Sequence, residues 1–142
     1  MGELYDADPV AEVLAHFKQD PLVIDAAGGE DHISGMIEGP WPHVVVSPGA
    51  GGDLREAVAS MEPDVLVEVI GPADGTIGPA ALWRIAMKAV VSAKGMPERD
   101  HVAGRAVVSA VRFTGGLTKQ PLSSGQIRWS ATLSVTISAP QG

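Results

Sequence analysis

From Ile127 to Ser138 the chain alternates between apolar and polar side chains without interruption. The apolar set is Ile127, Trp129, Ala131, Leu133, Val135 and Ile137, and the polar set is Arg128, Ser130, Thr132, Ser134, Thr136 and Ser138. Because successive strand residues point to opposite faces of a sheet, this pattern predicts one long, half-buried β-strand. Such a strand, in a chain without a catalytic constellation elsewhere, is more typical of a structural part than of an enzyme.

Composition narrows the possible classes of protein. The 142 residues fit a single domain, residues 1–142, and the 4% aromatic content predicts a mainly aliphatic core. The absence of cysteine excludes disulfides and thiolate metal sites. The net charge of −7 argues against tight nucleic-acid binding. An acidic N-terminus and the lack of a long apolar run predict a soluble protein with no membrane contact.

Capping signals and helical spacing predict two principal helices. Asp8-Pro9 supplies an N-cap and a first-turn proline, and apolar residues follow at i, i+3, i+4 and i+7. Pro79 begins the main helix, which we expect to end near Lys94 because Gly95 and Pro97 follow.

The main helix is apolar over more of its surface than packing on one sheet requires. Beside its core stripe, Trp83, Met87 and Val91 form a second apolar row. The predicted polar stripe is narrow and consists of Arg84, Lys88 and Ser92. One interpretation is a core helix covered on most sides. The other places Trp83 and Met87 at a subunit interface, where Trp and Met are enriched.

Short strands are expected within 32–37, 43–47 and 65–70, and a long strand at 102–113 precedes the terminal strand. The polar, glycine-rich segments 48–62 and 114–125 are predicted to be flexible loops. The candidate assembly residues in and beside these loops are Gly51, Asp53, Arg55, Lys119 and Gln126. The order of elements predicts an α+β fold, a mainly antiparallel sheet with a long C-terminal hairpin and helices packed on it.

No catalytic, cofactor or metal site is predicted. His32 and His43 could face each other across a hairpin, but without a third ligand they are interpreted as solvated strand-edge residues. The segment 98–101 has the composition of a charged turn. Gly49 to Gly52 is not a phosphate loop, because Asp53 follows where a phosphate loop has Lys.

The order and spacing of several segments resemble the tail terminator proteins of long-tailed bacteriophages, particularly those of actinobacterial phages, and are similar to the tail terminator of phage lambda. The segments that carry the resemblance are the opening helix, Pro40-Trp41-Pro42-His43-Val44-Val45-Val46, Gly51-Gly52-Asp53-Leu54-Arg55, 65–71, Asp74-Gly75-Thr76-Ile77-Gly78-Pro79 and Ser124-Gly125-Gln126-Ile127-Arg128-Trp129. Where a His-Pro pair is expected near the end, this chain has Ser138-Ala139-Pro140.

The resemblance implies a structural virion protein without enzymatic activity or cofactors. It implies a homohexameric ring, assembled in the host cytoplasm, that caps the tail tube at the head–tail junction. Such a ring ends tube polymerisation and joins the head connector. Its implied partners are other copies of itself, the tail tube protein and the head–tail connector protein, while DNA passes through without specific binding. With −7 on each copy, we expect acidic residues to line the channel.

Two alternatives are also compatible with the sequence. A head-completion or connector adaptor protein of the phage neck would share the ring architecture. A small enzyme or ligand-binding domain would need a convergent set of titratable side chains, which the sequence does not display.

Overall fold

The computed structural model describes residues 7–54, 60–99 and 104–139. Within these ranges five strands form one sheet in the order β1-β2-β3-β5-β4, against which three helices pack. The helices are α1 (Pro9–Phe17), α2 (Pro21–Ala27) and α3 (Pro79–Lys94). The strands are β1 (Ile33–Ser34), β2 (His43–Leu54), β3 (Ser60–Ile70), β4 (Val107–Lys119) and β5 (Arg128–Ser138). Short 3-10 helices lie at Glu30–His32 and Met96–Glu98.

The sheet is mixed but mainly antiparallel. Only β1 and β2 run parallel, whereas β2–β3, β3–β5 and β5–β4 are antiparallel. The predicted α+β class and the antiparallel C-terminal hairpin are therefore confirmed. The strand β5 covers nearly the whole of the alternating segment. It lies between β3 and β4, with one face in the core and the other open, so apolar and polar side chains alternate along it.

One face of the sheet forms the core with the helices. On β5 the inward residues Ala131, Leu133, Val135 and Ile137 are buried, and their neighbours on β3 are Val65 and Val67. From the helices, Phe17 of α1, Val23 of α2 and Leu82 of α3 are fully buried in the same cluster. The core is aliphatic, as the low aromatic content predicts. The opposite face of β5 carries its hydroxyls and Arg128.

The predicted start of α1 is confirmed by its cap, and α2, which was not predicted as a helix, has a cap of the same kind. The Asp8 carboxylate accepts a hydrogen bond from the Ala11 backbone N–H at 3.1 Å and so begins α1. The Asp20 carboxylate accepts one from the Leu22 N–H at 3.0 Å and begins α2. The helix α3 has the predicted bounds although Gly78 offers no capping side chain. Burial of its apolar stripe under the sheet compensates for the missing cap.

The prediction of a loop over 48–62 is wrong for the described residues 48–54 and 60–62. The strand β2 continues to Leu54 and β3 begins at Ser60, with an irregularity in their pairing between Pro48 and Gly52. At Gly49 an added Cβ would lie 2.6 Å from Asp64 Cβ and 2.9 Å from the Asp64 carbonyl carbon. The glycine therefore permits a close approach of two strands. The part of the loop from 55 to 59 lies outside the described residues.

The second predicted loop, 114–125, is also wrong in its first half. The strand β4 continues to Lys119, and its pairing with β5 shifts between Thr114 and Thr118. Gly115 and Gly116 have φ angles of 77° and 73°, which only glycine adopts freely, so these residues form a bulge rather than a loop.

Two predicted strands have different bounds. Of the strand expected over 102–113, residues 102 and 103 lie outside the described residues and 104–106 are described but are not strand. The strand begins at Val107 and continues to Lys119. The strand expected within 32–37 is reduced to Ile33–Ser34. The segment after it turns at Gly39–Pro40 and Trp41–Pro42, both cis peptide bonds.

We predict that Gly49→Ala lowers the free energy of unfolding by about 1–3 kcal/mol, because the new methyl group must displace backbone atoms of Asp64. Urea unfolding monitored by circular dichroism measures the change. The matched control is Gly78→Ala, since a Cβ at Gly78 meets no atom within 4 Å. Equal stability of the two variants would contradict the close packing of β2 against β3.

Candidate assembly surfaces

The helix α3 presents an apolar row to the outside. Trp83 is 42% exposed and Val91 is 56% exposed, and Met87 lies half-buried one helical turn from each. These three residues, here called the α3 row, are left partly exposed by the sheet and by the other described elements. The first interpretation, a helix covered on most sides, is therefore wrong for this flank. Whether the α3 row is a subunit interface remains a prediction.

The other flank of α3 packs against α1 and α2, and it contains Ser92, which was predicted to lie in the polar stripe. Ser92 is buried rather than part of a polar stripe, because its hydroxyl donates to the Asp20 carboxylate. The imidazole of His16 donates from Nε2 to the Ser92 carbonyl oxygen at 3.0 Å. By helical geometry Met87 lies about 140° around α3 from Ser92. The α3 row thus faces away from α1 and α2.

Burial and hydrogen bonding lower the pKa values of His16 and Asp20. Burial is the largest influence on His16 and lowers its pKa, since the charged imidazolium loses solvent. The hydrogen bond from the Ser92 hydroxyl is the largest influence on Asp20 and lowers the pKa of that carboxyl. A histidine with a lowered pKa in the folded state costs stability as the pH falls below its usual value of about 6.5.

Ser92, His16 and Asp20 have the residue types of a nucleophilic triad but not its connectivity. In a triad the hydroxyl donates to the imidazole, whose other nitrogen is held by the carboxylate. Here the hydroxyl donates to the carboxylate, and the imidazole contacts a backbone carbonyl. The arrangement joins α3 to the α1–α2 turn and does not activate the serine.

The buried carboxylate of Glu12 on α1 anchors the segment that connects α3 with β4. Glu12 is only 6% exposed, and its two oxygens accept from Arg99 Nη2 at 2.7 Å and Arg105 Nε at 3.1 Å. The two arginines lie on either side of residues 100–103. They also line a cleft of about 710 Å³ with residues of α1 and the start of β4. This charge pairing fixes both ends of the connection to the same point of the helix.

The sheet face opposite the helices is polar and largely charge-balanced. Arg128 Nη1 lies 3.2 Å from Glu68 Oε2, and Arg128 Nε donates to the Gln120 carbonyl oxygen. Glu62 accepts from the Thr136 hydroxyl at 3.0 Å and lies 3.7 Å from Arg112. A second cleft, of about 420 Å³, lies on this face, and its lining includes the Glu68–Arg128 pair and several hydroxyls.

The interpretation of the two histidines as solvated strand-edge residues is wrong for His43, which is fully buried. Its Nδ1–H donates to the Pro40 carbonyl at 3.1 Å, and its Nε2 lies 2.8 Å from the Ser34 hydroxyl. His32 donates from Nδ1 to the Pro42 carbonyl at 2.7 Å. Both imidazoles therefore hold the turn after β1. In the described part of the chain no three His, Asp or Glu residues are grouped as metal ligands.

The predicted assembly residues do not form one site. Gly51 and Asp53 belong to β2 and lie at the sheet end where β2 meets the start of β3. Lys119 ends β4 opposite Trp129, at the other end of the sheet. Gln126 lies between β4 and β5 in the chain, and its side-chain amide donates to the Gly71 carbonyl at 2.8 Å, so it holds two loops together. Arg55 lies outside the described residues.

The Glu12 cluster is the feature that the sequence did not predict. Its partners lie 87 and 93 residues further along the chain. The one local signal is a glutamate next to Val13 on the buried side of an otherwise apolar helix. That signal indicates a buried charge with a partner, but it does not say which arginine provides the partner.

The comparisons with known proteins give a likeness of fold. No family model matches the chain, and no curated protein matches its sequence. The chain is similar to a chain in the solved structure of the virion of a native gene transfer agent particle. The TM-score is 0.64 at 16% sequence identity, over 95% of this chain and 97% of the other. At this identity the likeness shows a shared fold along nearly the full length.

Among the described residues no helix is long and apolar enough to cross a membrane.

We predict that Glu12→Gln lowers the free energy of unfolding by about 1–3 kcal/mol, because two arginines lose their buried counter-charge. The figure is below that for a fully buried pair, since Arg99 and Arg105 are 28% and 43% exposed. Glu98→Gln, an exposed neighbour on the connection, is the control. Thermal or urea unfolding compares them, and equal effects would show that the cluster contributes no specific stability.

Proposed function

We propose that this protein is a structural virion component that forms a ring on the end of a phage tail tube. The ring ends tube polymerisation and provides the surface that joins the head connector. In this proposal six copies assemble at the head–tail junction. The partners of each copy are its neighbours in the ring, the tail tube protein and the head–tail connector protein.

The observation that carries the proposal is the likeness to a virion chain along nearly the whole of both molecules. A shared fold alone supports function only by association, because one fold serves many functions. The sequence segments that resemble tail terminators provide independent support, and they point to the same class of protein. A structural virion role is the function on which the two agree.

The placement of the predicted assembly residues suits a ring with two contact faces. Asp53 and Gly51 lie at one end of the sheet, and Lys119 and Gln126 lie at the other. A ring between a tube and a connector must contact a different partner on each side. We therefore assign the two ends of the sheet to two partners.

The α3 row supplies an apolar surface for contact between copies. An exposed tryptophan, a half-buried methionine and an exposed valine on one helix flank form the kind of anchor that protein interfaces use. The flank lies away from the helices with which α3 packs inside its own chain. We therefore propose Trp83 and Met87 as subunit-interface residues.

The charges suit a channel through which DNA passes without being held. Four of the ten lysine and arginine residues, Arg99, Arg105, Arg112 and Arg128, are each in an ion pair with a glutamate. Phosphate binding relies on lysine and arginine side chains that are free to replace counterions. On the open sheet face, the acidic side chains Glu62 and Glu68 are paired with two of these arginines. The expectation of an acidic channel therefore remains a prediction.

We predict that Met87→Asp reduces self-association, because a charge in the centre of the α3 row would have to be buried at the contact. Analytical ultracentrifugation across a concentration series measures the effect, expected as at least about a tenfold weaker association. Val91→Asp is a second test variant, chosen because Val91 is too exposed to affect folding strongly.

Ala81→Asp is the matched control, since it adds the same charge to an exposed position elsewhere on α3. Circular dichroism confirms that all three variants fold. If the variants in the α3 row associate as strongly as the wild type and the control, the row is not a subunit interface.

The proposed role is tested by silencing the gene and examining the lysate by electron microscopy. We expect filled heads beside headless tails of uncontrolled, excessive length, because nothing would stop tube growth. Filled heads beside separate tails of normal length would instead assign the protein to head completion, the alternative ring role in the neck. Intact particles in normal yield would contradict any structural role in the virion and favour an enzymatic or ligand-binding domain.

A further inference from the structure

The exposed side of α3 carries positive charge as well as apolar side chains. Arg84 and Lys88 follow Trp83 and Met87 directly in the chain, and both are exposed. By helical geometry they extend the α3 row to an arc of about 140°. The helix contains no aspartate or glutamate. The α3 row together with Arg84 and Lys88, here called the α3 surface, is therefore apolar with a positive border.

A second exposed apolar surface lies at the β1 edge of the sheet, in residues 30–38, here called the β1 segment. Met36 is 66% exposed and Ile37 is 50% exposed at its tip. Glu30 and Asp31 are exposed in the same segment, which contains no lysine or arginine. The β1 segment therefore also combines apolar and charged side chains, but its charge is negative.

Hydrogen bonds hold the tip of the β1 segment in place. The Ser34 hydroxyl oxygen accepts from the Met36 backbone N–H at 3.2 Å. The buried imidazole of His43 lies 2.8 Å from the same hydroxyl and donates to the Pro40 carbonyl. A tip that is already ordered loses little conformational entropy when it makes a contact, which favours its use in recognition.

The two surfaces lie on different parts of the molecule. The helix α3 packs over β3, β4 and β5, whereas β1 is the edge strand beyond β2. In the described part of the chain, the charged side chains of the α3 surface and of the β1 segment form no ion pair. Each surface thus has charges that are available to a second molecule.

Charge determines which of these surfaces fit together. Two α3 surfaces would bring cationic side chains together, and two β1 segments would bring carboxylates together, and like charges at a contact are unfavourable. An α3 surface against a β1 segment pairs opposite charges around apolar side chains from both copies. Burial of the apolar side chains would drive such a contact, and the charges would select its partner.

We propose that the β1 segment of one copy binds the α3 surface of a second copy. The contact joins two different surfaces, so it is head-to-tail, and its repetition forms a closed ring or a filament. The inference rests on the proposed function for the role of the α3 row as a subunit interface and for the closed ring of six. It adds the surface that covers this row, which is identified by its exposed apolar tip and its opposite charge.

Charge reversal tests the contact from both sides. The α3 reversal combines Arg84→Glu with Lys88→Glu, and the β1 reversal combines Glu30→Lys with Asp31→Lys. Each alone should weaken self-association at least about fivefold at low salt in analytical ultracentrifugation, because like charges then meet. An equal mixture of the two variants should associate as strongly as the wild type, since each α3 surface then meets a β1 segment of opposite charge on the other variant.

Glu98→Lys is the control for the change in net charge, because Glu98 is exposed and lies outside both surfaces. It should associate as the wild type does. Circular dichroism and thermal unfolding show whether every variant folds. Recovery in the mixture cannot come from misfolded chains, so it distinguishes a lost contact from a lost structure.

Cysteine cross-linking locates the contact, and the absence of native cysteine leaves only the introduced thiols. Ile37→Cys is mixed with Met87→Cys or with Val91→Cys and oxidised with copper phenanthroline. A disulfide needs Cα atoms within about 7 Å, so at least one mixture should give a covalent heterodimer of differently tagged copies. Ile37→Cys mixed with Ser109→Cys on β4 is the control and should give only a trace, because β4 is outside the proposed contact.

The outcomes separate this inference from the proposed function. If the wild type forms hexamers and both reversals do so as well, the contact is overturned and the ring stands. Reversals that weaken association without recovery in the mixture and without a cross-link from Ile37→Cys also overturn it, because the two surfaces then meet different partners. A wild type that is monomeric at every concentration and gives no cross-link overturns the contact, and the silencing experiment alone then decides the ring.

Discussion

The structure depends on the burial of one face of β5 and β3 beneath α3. Leu133, Val135 and Ile137 are fully buried on this face, and each contributes about 1.5–3 kcal/mol relative to exposure. Because β5 lies between β3 and β4, its register sets the position of both neighbours. A shift of one residue would move this apolar set to the open face. The strict alternation of the segment 127–138 therefore fixes the arrangement of the sheet.

The parts of the fold that the sequence predicted are those with a regular period or a strong cap. The alternation of β5 and the helical spacing and proline of α3 gave bounds within about a residue of the structure. The glycine-rich segments were predicted wrongly, because glycine marks loops and also close strand approach. Gly49 lies where β2 and β3 approach each other closely, whereas Gly115 and Gly116 allow a bulge in β4. Sequence spacing alone does not distinguish these uses.

The candidate surfaces also include features that the sequence predicted and features that it did not. The α3 row was predicted because helical geometry alone shows that Trp83 and Met87 share a flank. The cluster of Glu12 with Arg99 and Arg105 was not predicted, because its partners are brought together only by the tertiary fold. The burial of Ser92 was missed for a similar reason, since its partner Asp20 lies 72 residues away. Local patterns therefore identify surfaces, whereas long-range charge pairing needs the structure.

The central claim is that this fold forms a ring in a virion. Four arginines are paired with glutamates inside each copy, whereas the flank of α3 with Trp83 and Val91 stays exposed. The most direct measurement is a cryo-electron microscopy reconstruction of the neck of purified particles. We predict six copies of this fold in a closed ring on the last ring of the tail tube. Particles whose neck is complete without this fold, and which lack the protein by mass spectrometry, would contradict the account.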